Sequence, residues 1–377
     1  MNILSLPPLS LYVHLPWCIR KCPYCDFNSH AADQVPEQAY LQALLQDLTL
    51  DLPLVQGRSL GSIFFGGGTP SLMSADFYLQ LLKEIESRIP FSSAIEITLE
   101  ANPGTFEQHR FAGYRNAGIN RLSLGIQSFS DDMLKKLGRI HSRHDACSAI
   151  MHLRDCGFDN FNLDLMHGLP GQNVGQAMAD LETAFAFSPN HISWYQLTLE
   201  PNTEFYRRPP KLPNDDTLCN IQEAGHHMLE QAGYVQYEVS AYAKPGCASR
   251  HNLNYWEFGD YLGIGAGAHG KISWPDGRIQ RYRKTRQPNA YLQRRDDFLA
   301  ETSVIATEDL PLEFLMNALR LKPGVTENSY TERTGQPLAS LEPALSLARE
   351  RQLIYPDRLQ CTDKGFRYLN QILDLFL

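Results

Sequence analysis

Nothing in this 377-residue chain stays apolar for long enough to cross a bilayer. The N-terminus carries Pro7 and Pro8 and has no basic stretch ahead of an apolar run, so it does not read as a signal peptide. Positive charge is not in excess: the formal net charge is −8, which argues against nucleic acid as the main partner. There are no internal repeats and no low-complexity tracts. Cysteine is too sparse for a disulfide framework, with eight residues spread over the whole length. What remains is an ordinary composition, 43% hydrophobic and 20% charged, sufficient for one large domain and a smaller one.

Three of the eight cysteines are close together. Cys18, Cys22 and Cys25 stand in a C-x3-C-x2-C spacing directly after a short apolar strand, Leu9 to Leu15. Three thiolates are one short of a closed zinc site and one short of an ordinary four-iron cluster, so one iron of a cubane would be left open to a non-protein group. The other five, Cys147, Cys156, Cys219, Cys247 and Cys361, show no ligand spacing and read as buried free thiols. The motif resembles the signature of the radical S-adenosylmethionine (radical SAM) superfamily. That resemblance implies a [4Fe-4S] cluster whose open iron takes the amino and carboxylate groups of S-adenosylmethionine. Such a cluster requires a reducing compartment, so the expected location is cytoplasmic.

From residue 9 to about residue 200, short apolar runs alternate with stretches of helical period. Strands are predicted at Leu9–Leu15, Ser62–Phe65, Glu96–Glu100, Arg121–Ile126, Phe161–Leu165 and His191–Leu199, with helices near 36–51, 74–88, 106–117, 143–156 and 173–187. Such alternation means a parallel sheet covered by helices. Six units with polar residues at successive strand ends predict an α/β fold, an incomplete (β/α)6 barrel open on one side, with its chemistry at the C-terminal strand ends. A doubly wound sheet has the same periodicity. The proline-rich stretch Pro201 to Pro213 ends the alternation, giving expected boundaries of 1–200 for the barrel, 201–305 for an extension and 306–377 for a C-terminal domain. A helix near 215–232 and a strand near Tyr237–Ala241 are predicted in the extension. In the C-terminal domain, helices at 311–321, 326–334 and 338–350 precede a strand-turn-strand at Leu353 to Cys361 and a helix at 363–375, an order resembling a small winged-helix module.

Polar groups recur at the predicted strand ends. The second strand runs into Gly66-Gly67-Gly68-Thr69-Pro70, where glycine lets a ligand approach the backbone. The third ends at Glu100, a carboxylate suited to a ribose diol, although a salt-bridged glutamate has the same appearance. Gln127 ends the fourth, Arg139 follows it, and Asp164 lies in the fifth. A cofactor lying across a barrel mouth requires this pattern.

Tyr12-Val-His-Leu-Pro16, the cysteine motif, Gly-Gly-Gly-Thr-Pro, Glu-Ala-Asn-Pro, Gly125-Ile-Gln127-Ser-Phe129 and Asp164-Leu-Met-His-Gly-Leu-Pro170 are together similar to the oxygen-independent coproporphyrinogen oxidase family, over nearly the whole chain. The resemblance implies that Tyr12, Gly67 and Glu100 contact the cluster-bound S-adenosylmethionine. It further implies that Tyr24, Gly68, Thr69, Gln127, Arg139 and Asp164 match positions that hold a second one in the oxidase. Three features depart from the oxidase. Phe27 stands where it has a fourth cysteine, only 17 residues precede Cys18 where it has a longer arm, and His251-Asn252-Leu253-Asn254-Tyr255-Trp256 is an addition. All three resemble the HemW-type heme chaperone branch of the family.

That resemblance implies heme binding and delivery of heme to respiratory or storage hemoproteins. Histidine is the commonest protein ligand of heme iron, and an adjacent aromatic can pack on the macrocycle, so His251 with Tyr255 and Trp256 is the candidate segment. An Asn-rich turn with a capping histidine and two core aromatics looks the same in sequence. His269, within Gly263 to Gly270, is a weaker ligand candidate. The basic run Arg278, Arg281, Arg283, Lys284, Arg286, Arg294 and Arg295 suits heme propionates, a hemoprotein partner or an anionic membrane face, and equally a solvated surface. The expected function is that of a heme chaperone carrying the cluster and S-adenosylmethionine. The competing expectation is an oxidase that decarboxylates coproporphyrinogen. Peripheral membrane contact and a homodimer are further expectations.

Overall fold

A computed structural model describes residues 5–32, 34–104 and 108–377. Its centre is a twelve-stranded sheet. We number these strands β1 Leu9–Leu15, β2 Leu60–Gly67, β3 Phe91–Ala101, β4 Arg121–Gln127, β5 Phe161–His167, β6 His191–Gln196, β7 Val235–Glu238, β8 Ala241–Ala243, β9 Asp260–Ile264, β10 His269–Ser273, β11 Ile279–Lys284 and β12 Leu299–Val304. Their spatial order is 12-11-10-9-1-2-3-4-5-6-8-7. Strands β1 to β6 run parallel in chain order and β9 pairs parallel with β1. A doubly wound sheet reverses its order at the first strands; here β1 to β6 follow one another in a single direction, β9 comes to the free side of β1 only after all six, and among the described residues the two edges of the sheet are not paired with each other. The fold is therefore an incomplete α/β barrel with antiparallel extensions at both edges.

The local reasons are readable in the chain. Strand β1 is buried along almost its whole length, as a parallel strand covered on both faces requires. Ser74 caps the helix Ala75–Arg88, and capping boxes Ser142/Asp145 and Asn173/Gln176 start the helices Arg143–Asp155 and Val174–Ala186. The helix predicted over 106–117 is described as Phe111–Asn116; residues 106 and 107 lie outside the described residues. The strand predicted to Leu199 ends at Gln196, and that predicted at Tyr237–Ala241 divides into β7 and β8.

One face of β1 and β2, with Leu11, Val13, Ile63 and Phe65, packs under the helices in the main core. The opposite face is polar. Ser10 and Tyr12 lie in register with Ser62 and Phe64, and Glu96 on β3 is held 4.0 Å from Arg121. Against this inner face packs the helix Arg250–Trp256, which carries His251, Tyr255 and Trp256. Ser249 caps it, and Glu96 Oε1 accepts from the backbone N–H groups of Arg250 and His251 at 3.0 and 3.3 Å.

The C-terminal region is mainly helical around its own core of Phe314, Leu315, Tyr330, Leu345, Leu353 and Ile372, to which Phe258 and Ile279 add. The helix predicted over 338–350 is interrupted before Ala344–Glu350, because Pro343 lies where the helix would continue. The predicted strand-turn-strand reduces to isolated bridges, Ile354 to Cys361 and Val325 to Leu359. No helix among the described residues is long and apolar enough to cross a membrane.

The junction of β9 with the barrel rests on a buried carboxylate. Asp260 accepts from Arg58 at 2.7 Å, Lys271 at 3.0 Å and both the N–H and hydroxyl of Ser273 at 2.8 Å. Removing one partner leaves the Lys271 ammonium buried and uncompensated, at a cost of about 3–5 kcal/mol. Asp260→Ala is therefore expected to lower the unfolding free energy measured by denaturant melts by about that amount; a midpoint equal to the wild type's would contradict the role assigned to this network.

Candidate functional site

The chain leaves β1 at Leu15 and immediately forms the cysteine loop, whose ends are drawn together by a two-residue parallel pairing of Trp17–Cys18 with His30–Ala31. Across from it lies the turn after β2. Gly68 N–H donates to Leu15 O at 2.8 Å and Thr69 N–H donates to Trp17 O at 2.7 Å. A Cβ on Gly67 would lie 2.5 Å from the His14 ring, and one on Gly68 would lie 2.5 Å from Trp17 O. These glycines were expected to admit a ligand to the backbone. The space a side chain would take is occupied by the protein itself, so their first role is to let the turn close on the cysteine loop.

The three thiols are free. Among the described residues no group of three His, Cys, Asp or Glu side chains is placed to hold one metal ion. The thiols instead border a cavity of about 270 Å³, as a multi-iron group requires. Burial raises the pKa of Cys18 and of Cys25. The same cavity gathers Tyr24, Gly68, Thr69, Glu100, Gln127, Arg139 and Asp164, bringing together ten of the residues singled out in the sequence.

Each is held in place by specific partners. Arg139 donates to Asn102 Oδ1 and Gly125 O, both at 2.7 Å, and lies 3.7 Å from Cys22 Sγ. Its Nε is buried without a partner among the described residues, an unused donor suited to a carboxylate. Asn102 also donates to Thr69 Oγ1 at 3.1 Å. Gln127 has φ 67 at a register shift between β4 and β5, which re-aims its side chain into the cavity, where Oε1 accepts from Tyr195 at 2.7 Å. Asp164 accepts from Ser123 at 2.9 Å and Asn162 at 2.8 Å. Glu100 accepts from the Gly67 N–H at 3.2 Å, and its pKa is pushed up to about 8 by burial and by the Asp164 charge.

A second cavity of about 370 Å³ adjoins the first and shares Phe27 and Glu100 with it. Tyr12 and Gly67 face this side, together with His14, Asn28, Tyr255, Tyr261, Gly267 and His269. His251 lines neither cavity. Its ring is buried beneath them, stacked on Phe64 at 4.9 Å and edge-on to Tyr255 at 4.9 Å, with Nδ1 3.1 Å from Ser62 Oγ. Burial lowers its pKa to about 3, so it is neutral, and its Nε2 has no partner among the described residues.

The sequence reading missed His14, Asn28, Asn102 and Tyr195. Asn28 donates to Ala266 O at 2.9 Å and Arg286 O at 3.0 Å, fastening the cysteine loop to the segment beyond β9. Asn102 could have been found from its place two residues after Glu100. Asn28 carries no such local signal.

Residues 12–184 match the Radical SAM superfamily and residues 305–368 match the HemN C-terminal domain. The chain is 53% identical to the heme chaperone HemW of Haemophilus influenzae, with 99% of each chain covered. It is 50% identical to the HemW of Escherichia coli over the full length of both, and 34% identical to that of Bacillus subtilis over 98% of this chain and 99% of the relative. Among solved structures, the coproporphyrinogen III oxidase HemN of Escherichia coli superposes with a TM-score of 0.83 at 24% identity, covering 98% of this chain and 90% of that one. That likeness establishes the shared fold.

Two outcomes follow from this geometry. Cys22→Ser should remove most of the iron bound on anaerobic reconstitution while Cys219→Ser, outside the cavity, should leave it in place; a full four-iron spectrum in the first variant would contradict the assignment. Glu100 has a folded pKa above its unfolded value, so its contribution is present at low pH and is lost as pH rises from the ordinary carboxylate range through about 8. In the ligand-free protein, Glu100→Gln should flatten part of the fall in stability across that window, measured by denaturant melts at several pH values. An unchanged slope would contradict the buried, neutral carboxyl.

Proposed function

The chain belongs to the HemW family of heme chaperones within the radical SAM superfamily, and from that premise we propose that it binds heme in the second cavity and passes it to recipient hemoproteins. The family carries a [4Fe-4S] cluster and S-adenosylmethionine, which when bound supply one-electron chemistry. Cys18, Cys22 and Cys25 would hold the cluster. Beside it Arg139 offers its unused Nε–H to a carboxylate, Glu100 accepts from a ribose diol, and Gln127, Asp164 and Thr69 line the remaining wall. Tyr12 and Gly67 close the site toward the second cavity.

The observation that carries the heme reading is the second cavity itself. It is walled by Tyr12, Tyr255 and Tyr261, and the last two rings lie 4.3 Å apart. Flat aromatic walls suit a macrocycle. The 251–256 segment contributes Tyr255 to that wall, and His251 holds the Tyr255 ring from behind. Phe27, at the place of the oxidase's fourth cysteine, stands between the two cavities, and full-length relatives at 50–53% identity are heme chaperones. Both favour heme transfer over decarboxylation. Cluster thiolates need a reducing compartment, which supports a cytoplasmic setting. Recipient hemoproteins, a membrane surface and a second copy of the chain are partners that this reading accommodates; Ile19, Phe27 and Ile140 are exposed, and Phe27 borders both cavities.

Hemin titrated into the purified protein should bind at one equivalent with a shifted Soret band. His251→Ala, by loosening Tyr255, should weaken that binding while leaving the iron–sulfur absorption unchanged. Absence of a saturable hemin complex, or efficient turnover of coproporphyrinogen by the reconstituted protein, would contradict the proposal.

A further inference from the structure

Three histidines lie in or beside the second cavity, and the structure distinguishes them by what their nitrogens already do. His14 is fully engaged: Nε2–H donates to Asn28 O at 2.8 Å and Nδ1 accepts from the Tyr12 hydroxyl at 3.0 Å. His251 is sealed beneath Tyr255 and lines neither cavity. His269 is an exposed residue on the cavity wall whose ring has no hydrogen-bond partner among the described residues.

The segment that carries His269 is fixed at many points. Ala266 N–H donates to the Tyr40 hydroxyl at 2.8 Å, and that hydroxyl donates to His14 O at 2.7 Å. Gly265 N–H donates to Asp47 at 3.1 Å, and Asn28 holds Ala266 O. Gly267 packs so closely on Asn28 that a Cβ there would lie 2.3 Å from its amide nitrogen. A free imidazole on an anchored frame, facing aromatic walls, is the arrangement a metal-bearing planar ligand needs. Next to it on β11, Arg283 is directly opposite His269 and Arg281 reaches the Tyr261 hydroxyl at 3.3 Å; both guanidiniums are already paired, with Glu301 and Glu313, and retain further N–H donors at the edge where carboxylates of such a ligand would lie.

We propose that the second cavity seats an iron porphyrin with His269, rather than His251, as the ligand to iron; this rests on the heme-binding reading above. The bond uses a lone pair of the neutral ring and displaces a water or chloride from ferric iron, with no transfer of electrons. Partial desolvation against the cavity wall, with Arg283 and Arg281 nearby and Glu301 opposing them, lowers its pKa, which favours the neutral, ligating form. His251 acts on the wall, His269 on the metal, and the two roles separate experimentally.

The test compares hemin with iron-free protoporphyrin, the first followed by its Soret band and the second by fluorescence, on the wild-type chain and on His269→Ala. Loss of an iron ligand should lower hemin affinity by about tenfold or more and shift the Soret band, with added imidazole restoring its position and protoporphyrin affinity unchanged. His251→Ala should weaken both porphyrins alike. Wild-type hemin affinity and Soret position in His269→Ala would overturn the inference while leaving heme binding standing. Equal loss of hemin and protoporphyrin in that variant would also overturn it, by making the residue structural. A wild-type chain that binds no hemin would overturn the heme reading itself.

Discussion

The close approach of the Gly67-Gly68-Thr69 turn to the chain entering the cysteine loop sets everything else at this site. Two backbone hydrogen bonds, from Gly68 to Leu15 and from Thr69 to Trp17, lock the end of β2 onto the end of β1. Any side chain at Gly67 or Gly68 would meet the His14 ring or the Trp17 carbonyl, so the contact exists only with glycine. Because the turn is fixed, the Gly67 N–H points at Glu100, Thr69 receives Asn102, and Asn102 in turn orients Arg139 toward Cys22. One backbone contact thus aligns the thiols, the carboxylate and the guanidinium around a single cavity. Preorganisation of this kind lowers the cost of ordering these groups when a charged cofactor arrives.

The same contact divides the mouth in two. His14, filling the space above Gly67, joins Tyr12 to the Asn28 carbonyl, and the Asn28 side chain reaches the segment beyond β9. Phe27 and Glu100 consequently border both cavities. The two cavities thus have one wall in common. On the polar inner face below, Glu96 lies 4.0 Å from Arg121 and accepts from the N–H groups that open the 250–256 helix, while His191 bonds Asn162 and Tyr237.

Much of this was legible in the sequence, and the limits have physical causes. The cysteine spacing, β1 and the strand-end residues Glu100 and Asp164 are local signals: each depends on neighbours within a few positions. The unidirectional order of β1 to β6 is not local, and periodicity alone could not separate it from a doubly wound sheet. The strands from Asp260 to Val304 were missed because buried lysines, Lys271 and Lys284, interrupt the apolar alternation that marks a strand; Lys271 is matched by Asp260 on the adjoining strand and Lys284 by Asp47 and Asp51, far away in the chain. Asn28 was missed because its partner Ala266 is 238 positions away. His251 looked like a ligand because its exposure is decided by packing against Phe64 and Tyr255, which no spacing reveals.

The account's central claim is that cluster and heme occupy adjoining cavities separated by Phe27. The most direct measurement is an anaerobic crystal structure of the protein loaded with both. The account predicts an iron–sulfur cluster on Cys18, Cys22 and Cys25, and a porphyrin on the far side of Phe27 between Tyr12, Tyr255 and Tyr261 with its iron at His269. A porphyrin held elsewhere, on the outer surface or between two copies of the chain, with the second cavity empty, would contradict it.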